Sequence, residues 1–187
     1  MQEFSLEWFA SLVLLVLPAY FANAAPVYIN NAEKIRRRVY APIDGGMNFI
    51  DGKRVLGDGK TWEGLVGGIC AGWLSGAVLG LLGMVPLGMG FDRWFAVSVF
   101  LSVGALFGDL AGSFLKRRLS VERGVPFPFF DQLGFVVFSL AFASAAAPEL
   151  GYMVGASGFF VLLFLSYGAH KFFNWLAWKA GLKSVQW

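Results

Sequence analysis

Asp109 is the most unusual placement in this chain. It stands inside the apolar run GDLAGSFLKRR, residues 108–118, which closes on three consecutive cations, Lys116, Arg117 and Arg118. On a helix that turns about 100° and rises about 1.5 Å per residue, Asp109, Ser113, Lys116 and Arg117 share one stripe, with Asp109 on the order of 10 Å from Lys116. A second carboxylate, Asp131, follows in RGVPFPFFDQLGF, where Pro126 and Pro128 shape the loop ahead of it. Two carboxylates among several cations suit metal alone poorly. They suit a site in which Mg²⁺ joins the carboxylates to phosphate oxygens while Lys and Arg meet the remaining charge. The ligand implied is a nucleotide or pyrophosphate.

These residues must be held by helices in a membrane. The 187 residues are 57% hydrophobic, 17% aromatic and 14% charged, too little polar surface for an ordinary soluble domain. A spanning helix needs roughly 20 apolar residues, and five segments qualify, near residues 4–29, 62–84, 94–115, 127–147 and 150–175. The expected fold is an all-α integral membrane protein of five transmembrane helices, with cytoplasmic loops near 30–61 and 116–126, the first forming an insert between helices 1 and 2. The first segment is too long, and too polar after its apolar run, for a cleaved signal peptide.

Cations in short loops stay on the cytoplasmic side. Lys34, Arg36, Arg37, Arg38, Lys53, Arg54 and Lys60 fall in one loop, Lys116, Arg117, Arg118 and Arg123 in the next, and Lys171, Lys179 and Lys183 in the tail. Only Glu3, Glu7, Asp92, Arg93 and Glu149 fall on the other side. This places a multi-pass protein in the cell membrane with its N-terminus outside and its reactive groups facing the cytoplasm. The net charge of +3 expresses that one-sided basic surface, which meets anionic lipid or anionic substrate rather than nucleic acid. No protein partner is indicated.

An intramembrane carboxylate costs at least a few kcal/mol unless paired, hydrated or metal-bound, so Asp109 is either functional or half of an ion pair that orients helices. In the first loop, Asp51-Gly52 between short apolar runs signals a tight hairpin. Asp44, Gly45 and Gly46 after Pro42 form a second turn, either plain surface loop or a place where backbone approaches a ligand. GDGKT, residues 57–61, ends like a phosphate-binding loop, but Arg54 stands where the earlier glycine belongs and a membrane span follows, which excludes an NTPase fold. The free N–H groups of that helix start still attract phosphate, making Lys60, Thr61 and Gly64 candidate ligand contacts beside the alternative of a capped, lysine-anchored span. Asn23 and Pro26 interrupt the first helix near the same face, for binding or for helix packing. Cys70 and His170 are each the only one of their kind, so neither a disulfide nor a histidine-dependent mechanism is expected.

The linked motifs NAAPVYI, PIDGG, DGKRVLGDGKTWEG, GDLAGSFLKRR and FPFFDQ resemble, in order and over nearly the whole chain, the CDP-archaeol synthases, the short archaeal branch of the CDP-diacylglycerol synthases. The resemblance implies a single membrane-embedded cytidylyltransferase domain over residues 1–187. Its implied reaction is Mg²⁺-dependent transfer of CMP from CTP to 2,3-bis-O-geranylgeranylglycerol 1-phosphate, with release of pyrophosphate. By position, Asp109 and Asp131 become the metal carboxylates, and Ser113, Lys116 and Arg117 the phosphate-facing group; the charge chemistry of the loops adds Lys60, Arg118 and Arg123 as further cations for the phosphates. The bacterial pattern has Pro-Gly-His-Gly-Gly and then Asp-Arg where this chain has GVPFPFF and Asp131-Gln132, which favours the archaeal substrate. The rival from another class is a small carrier or channel for an anionic metabolite. A polybasic membrane anchor would leave Asp109 unexplained.

Overall fold

The computed structural model describes residues 5–36, 41–121, 125–127, 129–181, with the side chains of 31–36 outside the description. Arg123, expected among the phosphate-facing cations, lies outside the described residues, as do Glu3, Arg37, Arg38 and Lys183. The chain is all-helical: α1 Leu6–Arg36, α2 Trp62–Leu81, α3 Phe91–Arg118, α4 Phe130–Ala146 and α5 Glu149–Lys179, with one 3₁₀ turn at Pro86–Gly88 before α3. All five expected helices are present. Among the described residues, α1, α2, α3 and α5 are long and apolar enough to cross a membrane, whereas α4, at 17 residues, is shorter. The largest departure is at the end of α1, which continues to Arg36 instead of stopping near residue 29; the other ends fall within about four residues of expectation, among them that of α3, which runs on through Arg118. In α3 Lys116, Arg117 and Arg118 occupy the last turn, where cations face the negative end of the helix dipole.

Lipid offers no hydrophobic drive between helices, so close packing must supply the attraction. α2 meets this need with a glycine every fourth residue: Gly64, Gly68, Gly72, Gly76 and Gly80 are all buried. A Cβ at Gly72 would stand 2.3 Å from Ser102 Oγ and 2.5 Å from the Pro18 carbonyl. At Gly68 it would stand 2.8 Å from the Ala22 carbonyl, the group that Pro26, lacking an N–H, leaves unbonded four residues behind it. Proline frees that oxygen and glycine lets it approach α2. Trp94, fully buried, ties α3 to the same ridge through Nε1–H donated to Gly76 O at 2.8 Å. The opposite face of α2 exposes Val66, Leu74 and Val78, as a lipid-facing surface would.

Helices α3 and α4 approach as closely and run antiparallel. Cβ atoms at Gly104 and Gly108 would fall 2.5 Å from the carbonyls of Phe138 and Gly134 respectively. That crossing brings Asp109, next to Gly108, to nearly the same height as Asp131, three residues before Gly134. α5 packs by one ridge, Leu150, Val154, Gly158, Leu162 and Ser166, and is pinned to α1 by Tyr20 Oη–H donated to Ser166 Oγ at 2.8 Å. At the end opposite the cationic loops, Arg93 pairs with Glu149.

The loop before α2 folds on Asp44, whose side chain is buried. Its carboxylate accepts Arg54 Nη2–H at 2.7 Å and the N–H groups of Leu56 at 2.9 Å, Gly57 at 2.8 Å and Gly46 at 3.1 Å. Gly46 and Gly57 donate from positive φ, 85° and 98°, which favours glycine at both places. The expected hairpin forms as an Asn48–Arg54 bridge closed at Gly52. Ile43 N–H donates to Lys60 O at 2.8 Å, closing the loop at the foot of α2.

Two outcomes follow for stability. Gly72→Ala should destabilise the detergent-solubilised protein by about 1–3 kcal/mol, because carbonyl and hydroxyl must both give way, while Gly168→Ala, with open space around its Cα, should be neutral or slightly stabilising. Thermal unfolding of the two variants side by side checks this. The Arg54 guanidinium, followed by the backbone donors, holds the Asp44 carboxyl well below its ordinary value of 3.8. A depressed pKa stabilises above the unfolded value, and the gain is lost as pH falls below it. Protection of the Leu56 and Gly57 amides from hydrogen exchange should therefore decline below about pH 4, and Asp44→Asn should remove about 2 kcal/mol of that protection at neutral pH.

Candidate functional site

Two acid–lysine pairs mark the end of the bundle where the cationic loops lie. Lys60, at the foot of α2, places Nζ 2.5 Å from Asp109 Oδ2, with the two side chains 25% and 34% exposed. Lys116, in the last turn of α3, places Nζ 2.6 Å from Asp131 Oδ2, with exposures of 16% and 29%. Both pairs are thus partly exposed, which leaves them open to exchange of partners. The stripe expected on α3 therefore divides its attention: Asp109 turns towards α2, and Lys116 turns towards α4. Ser113 and Arg117 lie between and beside them, each half-buried, and Arg117 Nε is buried without a described hydrogen-bond partner.

Asp131 is oriented by the turn that opens α4. Phe127 N–H donates to its Oδ2 at 2.9 Å, on the same oxygen as Lys116. Gln132, itself buried, accepts Phe129 N–H on Oε1 at 2.7 Å and so caps the helix start. Phe129 adopts φ 67°, ψ −51°, a conformation costly for a bulky residue and of the kind that gathers at functional sites.

A half-open cleft of about 300 Å³, counted with the solvent at its mouth, lies over Asp109. It is lined by Pro26 and Asn30 of α1, Ile43, Gly59, Lys60 and Thr61 of the loop, Gly64 and Leu65 of α2, and Leu106, Asp109 and Leu110 of α3. Thr61 is the N-cap of α2: its Oγ1 accepts Gly64 N–H at 3.1 Å and donates to Asn30 Oδ1 at 3.3 Å. The cleft floor is therefore a helix N-terminus with a lysine beside it, an arrangement suited to phosphate.

The structure gathers Pro26, Lys60, Thr61, Gly64 and Asp109 at this cleft, and Lys116 and Asp131 one helix away. It does not bring Asp44, Gly45 or Arg118 to the cleft lining. Asp44 is occupied inside the loop, Gly45 closes the turn by donating N–H to Pro42 O at 3.0 Å, and Arg118 grips the hairpin. Asn23 lies deeper on α1, and Asn30 takes the place at the cleft. The signal for Asn30 was present: Asn23, Pro26 and Asn30 follow i, i+3, i+7 spacing, one face of a helix. Gln132 was also missed, because capping by Gln has no distinctive spacing without a Ser or Thr at the N-cap.

The donor set suits Mg²⁺. All described hydrogen bonds to the Asp109 and Asp131 carboxylates fall on Oδ2, carboxylates are hard oxygen donors, and Mg²⁺ characteristically takes one or two of them and completes its shell from water and substrate phosphate. No cluster of three or more His, Cys, Asp or Glu exists among the described residues, so the ligand would have to supply the remaining oxygens.

Residues 6–187 match the family model CarS-like, CDP-archaeol synthase. The CDP-archaeol synthase of Thermococcus onnurineus is 42% identical over 92% of this chain and 93% of its own length. That of Methanocaldococcus jannaschii is 40% identical over 96% and 97% respectively. A solved structure of an intramembrane enzyme for archaeal membrane lipid biosynthesis superimposes with a TM-score of 0.60 at 36% identity, covering 82% of this chain and 90% of that one. With near-complete coverage on both sides, the chain belongs to the CDP-archaeol synthase family.

Proposed function

We propose that this protein is the cytidylyltransferase that makes CDP-archaeol: it transfers CMP from CTP to an archaeal ether-lipid phosphate, 2,3-bis-O-geranylgeranylglycerol 1-phosphate, and releases pyrophosphate. The observation that carries the proposal is the pairing of two carboxylates, Asp109 and Asp131, with two lysines, Lys60 and Lys116, at one end of a membrane bundle. Phosphoryl transfer of this kind asks for little covalent help. The lipid phosphate, with a second pKa near 6, is already largely ionised at neutral pH, and its oxygen forms the new bond to the α-phosphorus as the bond to pyrophosphate breaks. What the protein must supply is in-line placement of two repelling anions and compensation of charge on the leaving group.

The residues divide that work. Lys60 and the α2 N-terminus receive phosphate at the cleft, with Thr61 and Asn30 fixing the helix start. Lys116 and Arg117, backed by Ser113, face the second anion from the end of α3. Asp109 and Asp131 would hold Mg²⁺, whose role is to neutralise phosphate oxygens and orient them. Each lysine sits on one carboxylate oxygen and can pass to a phosphate when the carboxylate takes another partner. The bilayer keeps the isoprenoid chains while the lipid phosphate reaches the cationic end of the bundle.

Five spans with the N-terminus outside put this end at the cytoplasmic surface, in keeping with the cations of the loops. A carrier or channel needs a polar route to the opposite end. The core there is Leu12, Leu15, Val97, Leu101 and Leu140, and the nearby Ser98, Ser102 and Ser139 hydroxyls donate to carbonyls of their own helix.

The direct test is incubation of purified protein with CTP, Mg²⁺ and a panel of lipid phosphates, with identification of product. Asp109→Asn and Asp131→Asn should each reduce CMP transfer by about 10²-fold or more while thermal stability stays close to that of the parent. Near-normal transfer by the double variant would remove the two-aspartate site. Topology has its own check: in a Cys70→Ser background, a cysteine at Met89 should react with an impermeant thiol reagent from the outer side only.

A further inference from the structure

The loop between α1 and α2 is fastened to α3 at two points. Lys60 on Asp109 is one. The other is Arg118, nine residues and about 14 Å further along the helix. Its guanidinium packs against the Phe49 and Phe114 rings, which meet edge to face, 4.8 Å from each centroid. Nη1 donates to Asp51 Oδ1 at 2.8 Å, and Nη2 donates to the carbonyls of Lys53 at 3.2 Å and Arg54 at 2.5 Å. Lys53 answers, donating from Nζ to Arg118 O at 2.9 Å and Ser120 Oγ at 2.6 Å.

The hairpin so gripped is continuous with the cleft. Arg54, held by its carbonyl, binds Asp44 with its side chain. Asp44 collects the N–H of Gly57, and Gly57 O accepts Lys60 N–H at 3.2 Å. We infer that Arg118 is a positioning residue: it acts through this hairpin to hold Lys60 over Asp109, and does not itself meet phosphate. The inference rests on the proposal that the Lys60–Asp109 cleft takes the nucleotide. Only arginine fills the role, since a planar fork can reach two successive carbonyls and a carboxylate while its charge packs against two rings; a lysine ammonium cannot.

If the hairpin comes loose, the competent loop position is only part of the population, and apparent nucleotide affinity falls by that fraction while the reaction of the filled site is retained. The test uses the full chain in a Cys70→Ser background with a spin label on Ile50→Cys, a side chain 94% exposed. Arg118→Lys, Arg118→Ala and Phe49→Leu should each raise label mobility without ligand and raise the KM for CTP by about tenfold, with kcat changed less than about threefold. A direct phosphate contact predicts otherwise: Arg118→Lys keeps much of the CTP affinity, Phe49→Leu is silent, and the label stays immobile, an outcome that overturns the inference. Should the parent fail to bind CTP at all, the nucleotide proposal falls, and with it the role of Arg118 in holding a nucleotide-facing lysine.

Discussion

Everything in this molecule depends on how closely helix backbones can approach where there is no water. In hydrocarbon a helix gains little by hiding leucine from lipid, so association rests on van der Waals contact and on polar groups brought within reach. Two glycine sets provide it. The ridge on α2 accepts the carbonyls of Pro18 and Ala22, and Gly104 and Gly108 of α3 accept the backbone of α4. The second contact also sets the position of the acids, since the aspartate beside Gly108 comes close to the level of Asp131 only because no side chain separates the two helices. A methyl group there would meet the Gly134 carbonyl at 2.5 Å and push the two helices apart.

Charge at the site is balanced before any ligand arrives. Each aspartate has a lysine, and the last turn of α3 adds Arg117 at the negative end of the helix dipole. Balanced pairs limit the cost of holding carboxylates near the bilayer, and partial exposure keeps them exchangeable.

The five helices were legible in the sequence because hydrocarbon thickness sets a length and an apolar composition that few other folds share. Asp109 stood out because a carboxylate is expensive inside an apolar span, and Asp131 because a second acid follows it from the same side. The loop was not, and the reason is physical: the identity of a charged residue does not reveal its partner. Asp44 and Arg118 have the chemistry of ligand groups, yet one is enclosed by backbone amides and the other by two rings and two carbonyls, contacts between positions up to 67 residues apart. Asn30 was passed over for Asn23 because the first helix was expected to end near residue 29, which put Asn30 in a loop. The helix instead continues through polar sequence to Arg36, beyond the point where hydropathy can follow it.

The length of α4 bears on the membrane itself. Its 17 residues extend about 25 Å, against a hydrocarbon layer of about 30 Å, while its neighbour α3 has 28. A bilayer meeting such unequal neighbours thins beside the shorter one, or lets headgroups and water sink to its end. That end is where Asp131 begins the helix. Hydrophobic mismatch of this kind would create a dimple in the leaflet beside Asp131, where headgroups descend to the level of the helix start instead of the carboxylate having to rise to them.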